Sequence, residues 1–272
     1  MMLPERITSR TNVRVKTLRA SFSGKASKPG ELVGIEGVNL IGEAMRSGLR
    51  FDTVYLREGS VEALAKISGI KTAEWAVLSK DVFDSAVDTA SPQGIAATVA
   101  IPRIELGEEP GMVLILEDLQ DPGNLGTLVR SAEAFLVRQV FVTAGTVNPW
   151  NPKAIRASAG SVFRMPIVRG SLQELKGWSE AFGVRLAAAV ARTKDATPVM
   201  HARLLAPCGL MIGNEGAGLS KEALALADEL VNIPCAVESL NAATAGTTMM
   251  YEAFRQNLLQ EFLDMPVVRG LQ

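Results

Sequence analysis

The chain has 272 residues, a formal net charge of −1, and 47% hydrophobic and 21% charged residues. These values are typical of a folded α/β protein and exclude a disordered chain. No apolar run approaches the roughly 20 residues that span a bilayer, and residues 1–23 lack the apolar core of a secretory signal. We therefore expect a cytoplasmic protein that makes no membrane contact.

The first 100 residues predict a small α/β domain that is preceded by a basic helix or arm. Short apolar runs bounded by polar residues indicate strands, and longer mixed segments between them indicate helices. The expected strands are residues 32–35, 53–56, 76–78 and 95–99, and the expected helices are residues 37–46 and 61–67. Residues 101–112 predict a linker, because two prolines, two glycines and three acids interrupt the apolar pattern.

Residues 113–272 show a clearer alternation of strands and helices. The expected strands are residues 113–116, 140–143, 185–190, 210–212 and 230–234, and the expected helices are residues 125–135, 171–182, 221–229 and 242–263. This alternation favours a parallel sheet with helices on both faces. The sequence thus predicts two α/β domains, residues 1–100 and 113–272, joined by the linker 101–112.

Basic residues are concentrated in two segments of this nearly neutral chain. Residues 1–30 carry seven basic residues against one acid, and residues 151–170 carry four with no acid. Local positive charge of this kind suits contacts to nucleic-acid phosphates, although it also occurs on solvated faces. The candidate RNA-binding residues are Arg10, Arg14, Lys16, Lys153 and Arg156.

The cysteines and the single histidine exclude several kinds of site. Cys208 and Cys235 form no metal or redox motif, and we expect two buried thiols in a reducing cytoplasm. His201 has no partners at the spacing of a metal site or a catalytic triad, so we expect a solvated loop residue. Any chemistry is expected to proceed without histidine and without metal.

Three polar corners follow apolar runs in the second half of the chain. The first corner is Asp121–Gly126 leading to Arg130, the second is Gly213–Gly218, and the third is residues 233–241. Open α/β sheets bind ligands at such corners, so the three together predict one site. The first and third corners also have a structural interpretation, because Asn124 in the first, and Ser239 or Asn241 in the third, are suitable helix caps.

Two features of the corners bear on the ligand. Arg130 lies among apolar residues of the expected helix 125–135 and is either a surface residue or a bidentate clamp for phosphate. The second corner has the order G-x-x-G-x-G, which is not the dinucleotide fingerprint. Glu215 within it would repel phosphates and suits a cationic ligand or hydrogen bonds to hydroxyls and amines.

The three corners together resemble the SpoU branch of the SPOUT superfamily, which comprises AdoMet-dependent RNA ribose 2′-O-methyltransferases. The first family motif matches Asn124 and Arg130, and the second matches Gly213 and Glu215 with the glycines that follow. The third matches Ile233, Pro234, Ser239, Leu240 and Asn241. The resemblance covers residues 113–256 and extends more weakly over the N-terminal domain. Two departures are Leu136, where the family usually has glycine, and a shortened segment 233–241.

The resemblance implies a fold, a cofactor and a set of site residues. The fold is a C-terminal parallel-sheet domain with a deep trefoil knot and a small N-terminal substrate-binding domain, assembled as a homodimer through the C-terminal domain. The cofactor is S-adenosyl-L-methionine (AdoMet). The implied catalytic residues are Arg130, Asn124, Glu215, Ser239 and Asn241, and the implied cofactor-binding residues are Gly213, Glu215, Gly216, Ile233 and Leu240.

The separate N-terminal domain favours ribosomal RNA as the substrate. A tRNA 2′-O-methyltransferase and a non-catalytic RNA-binding protein of the same fold are the alternatives. A nucleotide-binding oxidoreductase is a further alternative. The absence of a G-x-G-x-x-G motif argues against it.

Overall fold

The computed structural model describes residues 5–60, 70, 74–103 and 111–264. The expected helix 61–67 and most of the expected linker, residues 104–110, lie outside these ranges. Contacts within the chain form two compact units. The first unit comprises residues 1–104, 121–130 and 147–164, and the second comprises residues 105–120, 131–146 and 165–272.

Five strands form the sheet of the first unit. They are β1 (Glu5–Ile7), β2 (Leu32–Glu36), β3 (Phe51–Arg57), β4 (Glu74–Leu78) and β5 (Ile95–Ala100). Their order is β1–β4–β3–β5–β2, in which β5 pairs antiparallel with both β3 and β2 and the other pairs are parallel. All four strands expected in this region are confirmed, whereas the sequence pattern missed the three-residue β1.

Short helices cover this sheet. They are α1 (Val13–Ser21), α2 (Val38–Arg46), α3 (Lys80–Asp84) and α5 (Pro152–Ala157), whereas residues 122–130 of α4 (Pro122–Ala134) belong to the same unit. Helix α1 buries Val15 and Leu18, which are three residues apart on one face, against Tyr55 and Phe83. The Tyr55 hydroxyl donates to the Arg14 carbonyl oxygen at 3.2 Å and so fixes the helix on the sheet.

Seven strands form the sheet of the second unit, and all of their pairings are parallel. They are β6 (Met112–Leu116), β7 (Gln139–Thr143), β8 (Ile167–Gly170), β9 (Arg185–Ala189), β10 (Thr197–Pro198), β11 (Cys208–Ile212) and β12 (Glu229–Asn232). The order is β10–β12–β9–β11–β6–β7–β8. The predicted parallel sheet is thereby confirmed, and the carboxyl ends of its strands meet at one edge.

Three helices complete the second unit: α6 (Leu172–Phe182), α7 (Lys221–Leu224) and α8 (Ala242–Asp264). Leu175 of α6 and Ala223 of α7 pack with Ile115 and Met211, which lie on the two central strands. Ser171 and Glu174 form a capping box that starts α6, because each side chain accepts from the other residue's backbone N–H.

Two predicted elements of the second unit are wrong in their extent. The helix expected over 221–229 ends at Leu224, because Asp228 binds the backbone of Leu186 on β9 with both its N–H and its carboxylate, at 2.8 Å each. The strand expected over 230–234 spans Glu229–Asn232 and stops before Pro234, which has no N–H for the ladder. The pattern also missed β8, β10, α3 and α5.

The two cysteines have different environments. Cys208 is buried, as expected, and burial raises the pKa of its thiol to about 12. Cys235 is exposed, so the expectation of a second buried thiol is wrong. The reason is that residues 234–239, which follow β12, are all exposed. His201 is exposed, in agreement with its interpretation as a solvated loop residue.

Neither membrane helices nor metal clusters occur in the described ranges. None of the helices over residues 5–60, 74–103 and 111–264 combines the length and hydropathy needed to cross a bilayer. Within the same residues, no group of three or more His, Cys, Asp or Glu side chains is placed to hold a metal ion.

Candidate active site

The first corner follows β6 and opens helix α4, which begins at Pro122. The Asp121 carboxylate accepts a hydrogen bond from the Asn124 backbone N–H at 3.1 Å, so Asp121 caps the start of the helix. The expectation that Asn124 is the cap is therefore wrong, and Asn124 lies inside the first turn. Lys153 donates to the other oxygen of Asp121 at 2.7 Å, and this bond lowers the pKa of the carboxyl.

Gly126 permits a close approach of two helices in the first unit. A Cβ atom at this position would lie 2.4 Å from the Ala154 carbonyl oxygen and 2.6 Å from the Ala157 Cβ on α5. Contacts this short do not occur between real side chains, so only glycine fits here. The same approach fixes the segment of α4 that carries Asn124 and Arg130.

Arg130 lies on the exposed side of α4. Leu128 and Val129, its neighbours along the helix, are buried. Within the part of the chain that the structure describes, no carboxylate pairs with its guanidinium. A surface cation without an internal partner is available to an anionic ligand.

The second corner closes on itself directly after β11. Asn214 and Gly218 exchange backbone hydrogen bonds at 3.0 and 2.9 Å, and the Asn214 side chain accepts from the N–H groups of Gly216 and Ala217. A Cβ atom on Gly213 would lie 2.3 Å from the backbone of Gly218. Gly213 is thus required for the loop to close, whereas a Cβ atom on Gly216 would meet only the Asn214 oxygen, at 3.6 Å.

Hydrogen bonds join the second corner to the loop that precedes Asp121. The Gln120 backbone N–H donates to the Glu215 carboxylate at 3.2 Å, and the Asn214 amide donates to the Asp118 carbonyl oxygen at 2.9 Å. Both loops follow adjacent central strands, β6 and β11, whose carboxyl ends lie side by side. Strand order thus places the second corner beside the loop that follows β6.

A buried acid binds Ser220, which lies two residues beyond the second corner. Glu117 is only 5% exposed, and its carboxylate accepts from both the backbone N–H and the hydroxyl of Ser220, at 2.8 and 2.6 Å. The Ser220 hydroxyl in turn accepts from the Ala223 N–H and caps α7. The sequence analysis missed this pair, although an acid that directly follows a fully apolar strand can indicate a buried carboxylate with an internal partner.

The third corner connects β12 to α8. Asn241 caps α8 with its side-chain oxygen, which accepts from the N–H groups of Ala243 at 2.9 Å and Thr244 at 3.2 Å. This confirms one of the two expected caps. Ser239 is exposed, and the apolar residues Ile233 and Leu240 at the two ends of the segment are half-buried.

Comparison with known proteins identifies the family. Residues 111–251 match the SpoU rRNA methylase family, and residues 12–97 match the MRM3-like substrate-binding domain. The chain belongs to the SpoU rRNA methylase family. This confirms the resemblance drawn from the three corners.

Relatives and solved structures extend along nearly the whole chain. A Synechocystis protein named as an uncharacterized tRNA/rRNA methyltransferase is 35% identical over 92% of this chain and 93% of its own length. The Bacillus subtilis 23S rRNA guanosine 2′-O-methyltransferase RlmP is 30% identical over 91% of this chain and 98% of its own. The AdoMet-bound rRNA methyltransferase from Sinorhizobium meliloti superposes with a TM-score of 0.78 at 27% identity, covering 93% and 98% of the two chains.

The candidate RNA-binding residues of this SpoU protein differ in their pairing. Arg14 pairs with Glu74 at 2.7 Å, Lys153 with Asp121 at 2.7 Å, and Arg156 with Asp88 at 3.3 Å. Arg10 and Lys16 are exposed, and no carboxylate among the described residues pairs with them. Sequence reasoning could not separate these two classes, because each partner is distant along the chain.

Proposed function

We propose that this SpoU protein transfers a methyl group from AdoMet to a ribose 2′-hydroxyl of ribosomal RNA. The observation that carries the proposal is the closed second corner, built around Gly213 and joined by hydrogen bonds to Asp118 and Gln120 in the loop that follows β6. Two relatives support it, since they are named as 23S rRNA 2′-O-methyltransferases of guanosine and uridine.

The second and third corners have the chemistry that AdoMet requires. Gly213 allows the loop to close against the backbone of Gly218, and the exposed carboxylate of Glu215 suits hydroxyl or amino groups. The half-buried apolar residues Ile233 and Leu240 suit an adenine ring. We assign cofactor binding to these four residues together with Gly216.

The transfer requires an aligned nucleophile and stabilisation of the charge that develops on it. Bound AdoMet supplies an electrophilic methyl group on a positively charged sulfur. A guanidinium is a planar cation with several N–H donors, so the role of Arg130 is to clamp the target phosphate and to donate hydrogen bonds to the ribose oxygen as negative charge develops. Asn124, Glu215, Ser239 and Asn241 orient the ribose and this guanidinium, and a phosphate oxygen or water accepts the proton.

The two expected domains divide the work. Residues 1–100 capture RNA, and residues 113–272 hold the cofactor and carry out the transfer. Arg10 and Lys16 contact phosphates directly. Arg14, Lys153 and Arg156 exchange their ion pairs for phosphates, because exposed pairs contribute only about 0–1 kcal/mol.

The protein acts as a homodimer in the cytoplasm, and its C-terminal domain is knotted. An apolar face on the second unit supports the dimer. Leu136 and Tyr251 on this face are 69% and 54% exposed, and the Phe135 ring packs against the rings of Tyr251 and Phe254 with centroids 5.7 and 5.8 Å apart. Exposed clusters of this kind mark protein interfaces.

Variants of Arg130 test the proposed role. Arg130→Ala should lower the single-turnover rate of methyl transfer to in vitro transcribed ribosomal RNA by at least about 100-fold, while AdoMet affinity is retained. Arg130→Lys keeps the charge but loses the planar fork, so it should stay severely impaired at every pH. Arg203→Ala, which removes another exposed arginine, is the control and should be active. Wild-type rates in Arg130→Ala would contradict the assignment.

The RNA substrate is identified by mapping 2′-O-methyl groups in cells with and without the gene. Loss of methylation at one ribosomal position supports the proposal. Loss at a tRNA position would favour the tRNA alternative, and an unchanged map would favour a non-catalytic RNA-binding protein.

A further inference from the structure

An arginine-lined cleft of about 620 Å³ lies in the first unit, where α2 ends. Arg46, Arg50 and Arg164 line it, and we call it the arginine cleft. Among the described residues that form its walls, none is acidic; the others are glycine, a serine and apolar residues. Three cations around one open space repel each other, so the arrangement favours an anionic occupant.

A single carboxylate, that of Glu43, neutralises only part of the positive charge of the arginine cleft. Glu43 accepts hydrogen bonds from both Arg46 and Arg164. These bonds, above all the one from Arg46, lower the pKa of Glu43 and keep it ionised. Arg50 is exposed and has no side-chain partner within the described residues. The single carboxylate therefore leaves two positive charges in excess.

The shape of the cleft suits a polymer better than a single small ion. Gly30 and Gly48 line it, and a Cβ atom at either position would meet no atom within 4 Å, so these parts of the wall are open. Phe163, which also lines the cleft, is 3% exposed and stacks on Trp150, so its ring face is not available to a base. The arrangement thus offers guanidinium donors for phosphates without a platform for stacking.

We infer that the arginine cleft binds a phosphodiester segment of the RNA substrate and fixes its register. The inference rests on the proposed function and adds a phosphate-binding site to the candidate residues of the basic segments. Phosphate contacts position an RNA and carry no base information, which agrees with walls that have arginines and no side-chain amides.

Arg50 is the residue on which to test the cleft, because its replacement breaks no ion pair among the residues that the structure describes. Binding of a fluorescein-labelled fragment of large-subunit ribosomal RNA is measured by anisotropy across a salt series. Arg50→Glu should weaken RNA binding roughly three- to tenfold and reduce the salt slope by about one. Arg203→Glu makes the same charge change at an exposed site outside the cleft and should leave both values unchanged. AdoMet affinity, measured by calorimetry, should be that of the wild type in both variants.

Three other outcomes of these binding measurements would contradict the inference. Unchanged RNA affinity and slope in both Arg50→Glu and Arg50→Ala would overturn the inference and leave the proposed function intact. Failure of the wild type to bind the RNA would overturn both. Tight binding of inorganic phosphate or AMP that Arg50→Glu abolishes, with RNA affinity unaltered, would show a small-anion site in place of an RNA contact.

Discussion

At the scale of single residues, two helical glycines have opposite roles. Gly126 lies at the contact of α4 with α5, where a Cβ atom would be 2.4 Å from a carbonyl oxygen. Gly177 lies on the exposed side of α6, where a Cβ atom would meet no atom within 4 Å. The first glycine is required by packing, whereas the second only raises the conformational entropy of the unfolded chain.

We predict opposite changes in stability for the two alanine variants. Gly126→Ala should lower the free energy of unfolding by about 1–3 kcal/mol, because the helices must move apart. Gly177→Ala should raise it by about 0.5–1 kcal/mol. Urea unfolding followed by circular dichroism measures both. Equal effects of the two substitutions would show that the close approach at Gly126 is not constraining.

At the scale of elements, the segment that follows the second corner donates two hydrogen bonds to Glu117, at the end of β6. Glu117 accepts two hydrogen bonds from Ser220, which lies two residues beyond the corner and caps α7. A buried carboxylate with two donors is well satisfied, and an amide in its place would direct an N–H group at a donor.

We therefore predict that Glu117→Gln loosens the second corner. The free energy of unfolding should fall by about 1–3 kcal/mol, and AdoMet affinity should fall with it. Ser220→Ala removes the hydroxyl but keeps the backbone N–H on Glu117, so it should cost only about 1 kcal/mol, the usual loss of a cap. Calorimetric titration with AdoMet and thermal unfolding test whether Glu117→Gln loses more AdoMet affinity and more stability than Ser220→Ala. Wild-type AdoMet affinity in Glu117→Gln would contradict this role.

The sequence predicted most elements because their patterns are local. The buried strands β6, β7 and β11 each contain a short apolar run, and the corners carry turn residues that can be recognised without partners. The sequence pattern failed where contacts with residues distant along the chain determine the structure. The apolar periodicity after Lys221 suggested a long helix, but pairing of Asp228 with Leu186 ends it. Glu117 and the ion pairs of Arg14, Lys153 and Arg156 were missed for the same reason.

At the scale of the whole molecule, Leu136 combines two unfavourable features. Its φ angle is +57°, in the left-handed region, and the Val137 N–H donates to the Ala132 carbonyl oxygen to close the end of α4. A leucine in this conformation costs about 1 kcal/mol relative to glycine. Its side chain is also 69% exposed, so the single chain recovers little of this cost by burial.

A second subunit would explain why leucine stands at this position. The exposed apolar face of Leu136, Phe135 and Tyr251 would be covered in the proposed homodimer, and burying a leucine contributes roughly 1.5–3 kcal/mol. This gain would exceed the backbone cost. Leu136 should therefore lower the stability of the single chain and strengthen the association of two chains.

We predict that Leu136→Gly stabilises the isolated chain and weakens the dimer. The free energy of unfolding, measured in dilute solution, should rise by about 1 kcal/mol because the strain is relieved. The dissociation constant from sedimentation equilibrium should rise at least about tenfold, because the apolar contact is lost. Gly183→Leu is the matched control: Gly183 ends α6 at φ +63° with open space around it, so this change should destabilise the chain without altering association. If Leu136→Gly only stabilises the chain and the dissociation constant is unchanged, the face around Tyr251 is not the subunit interface.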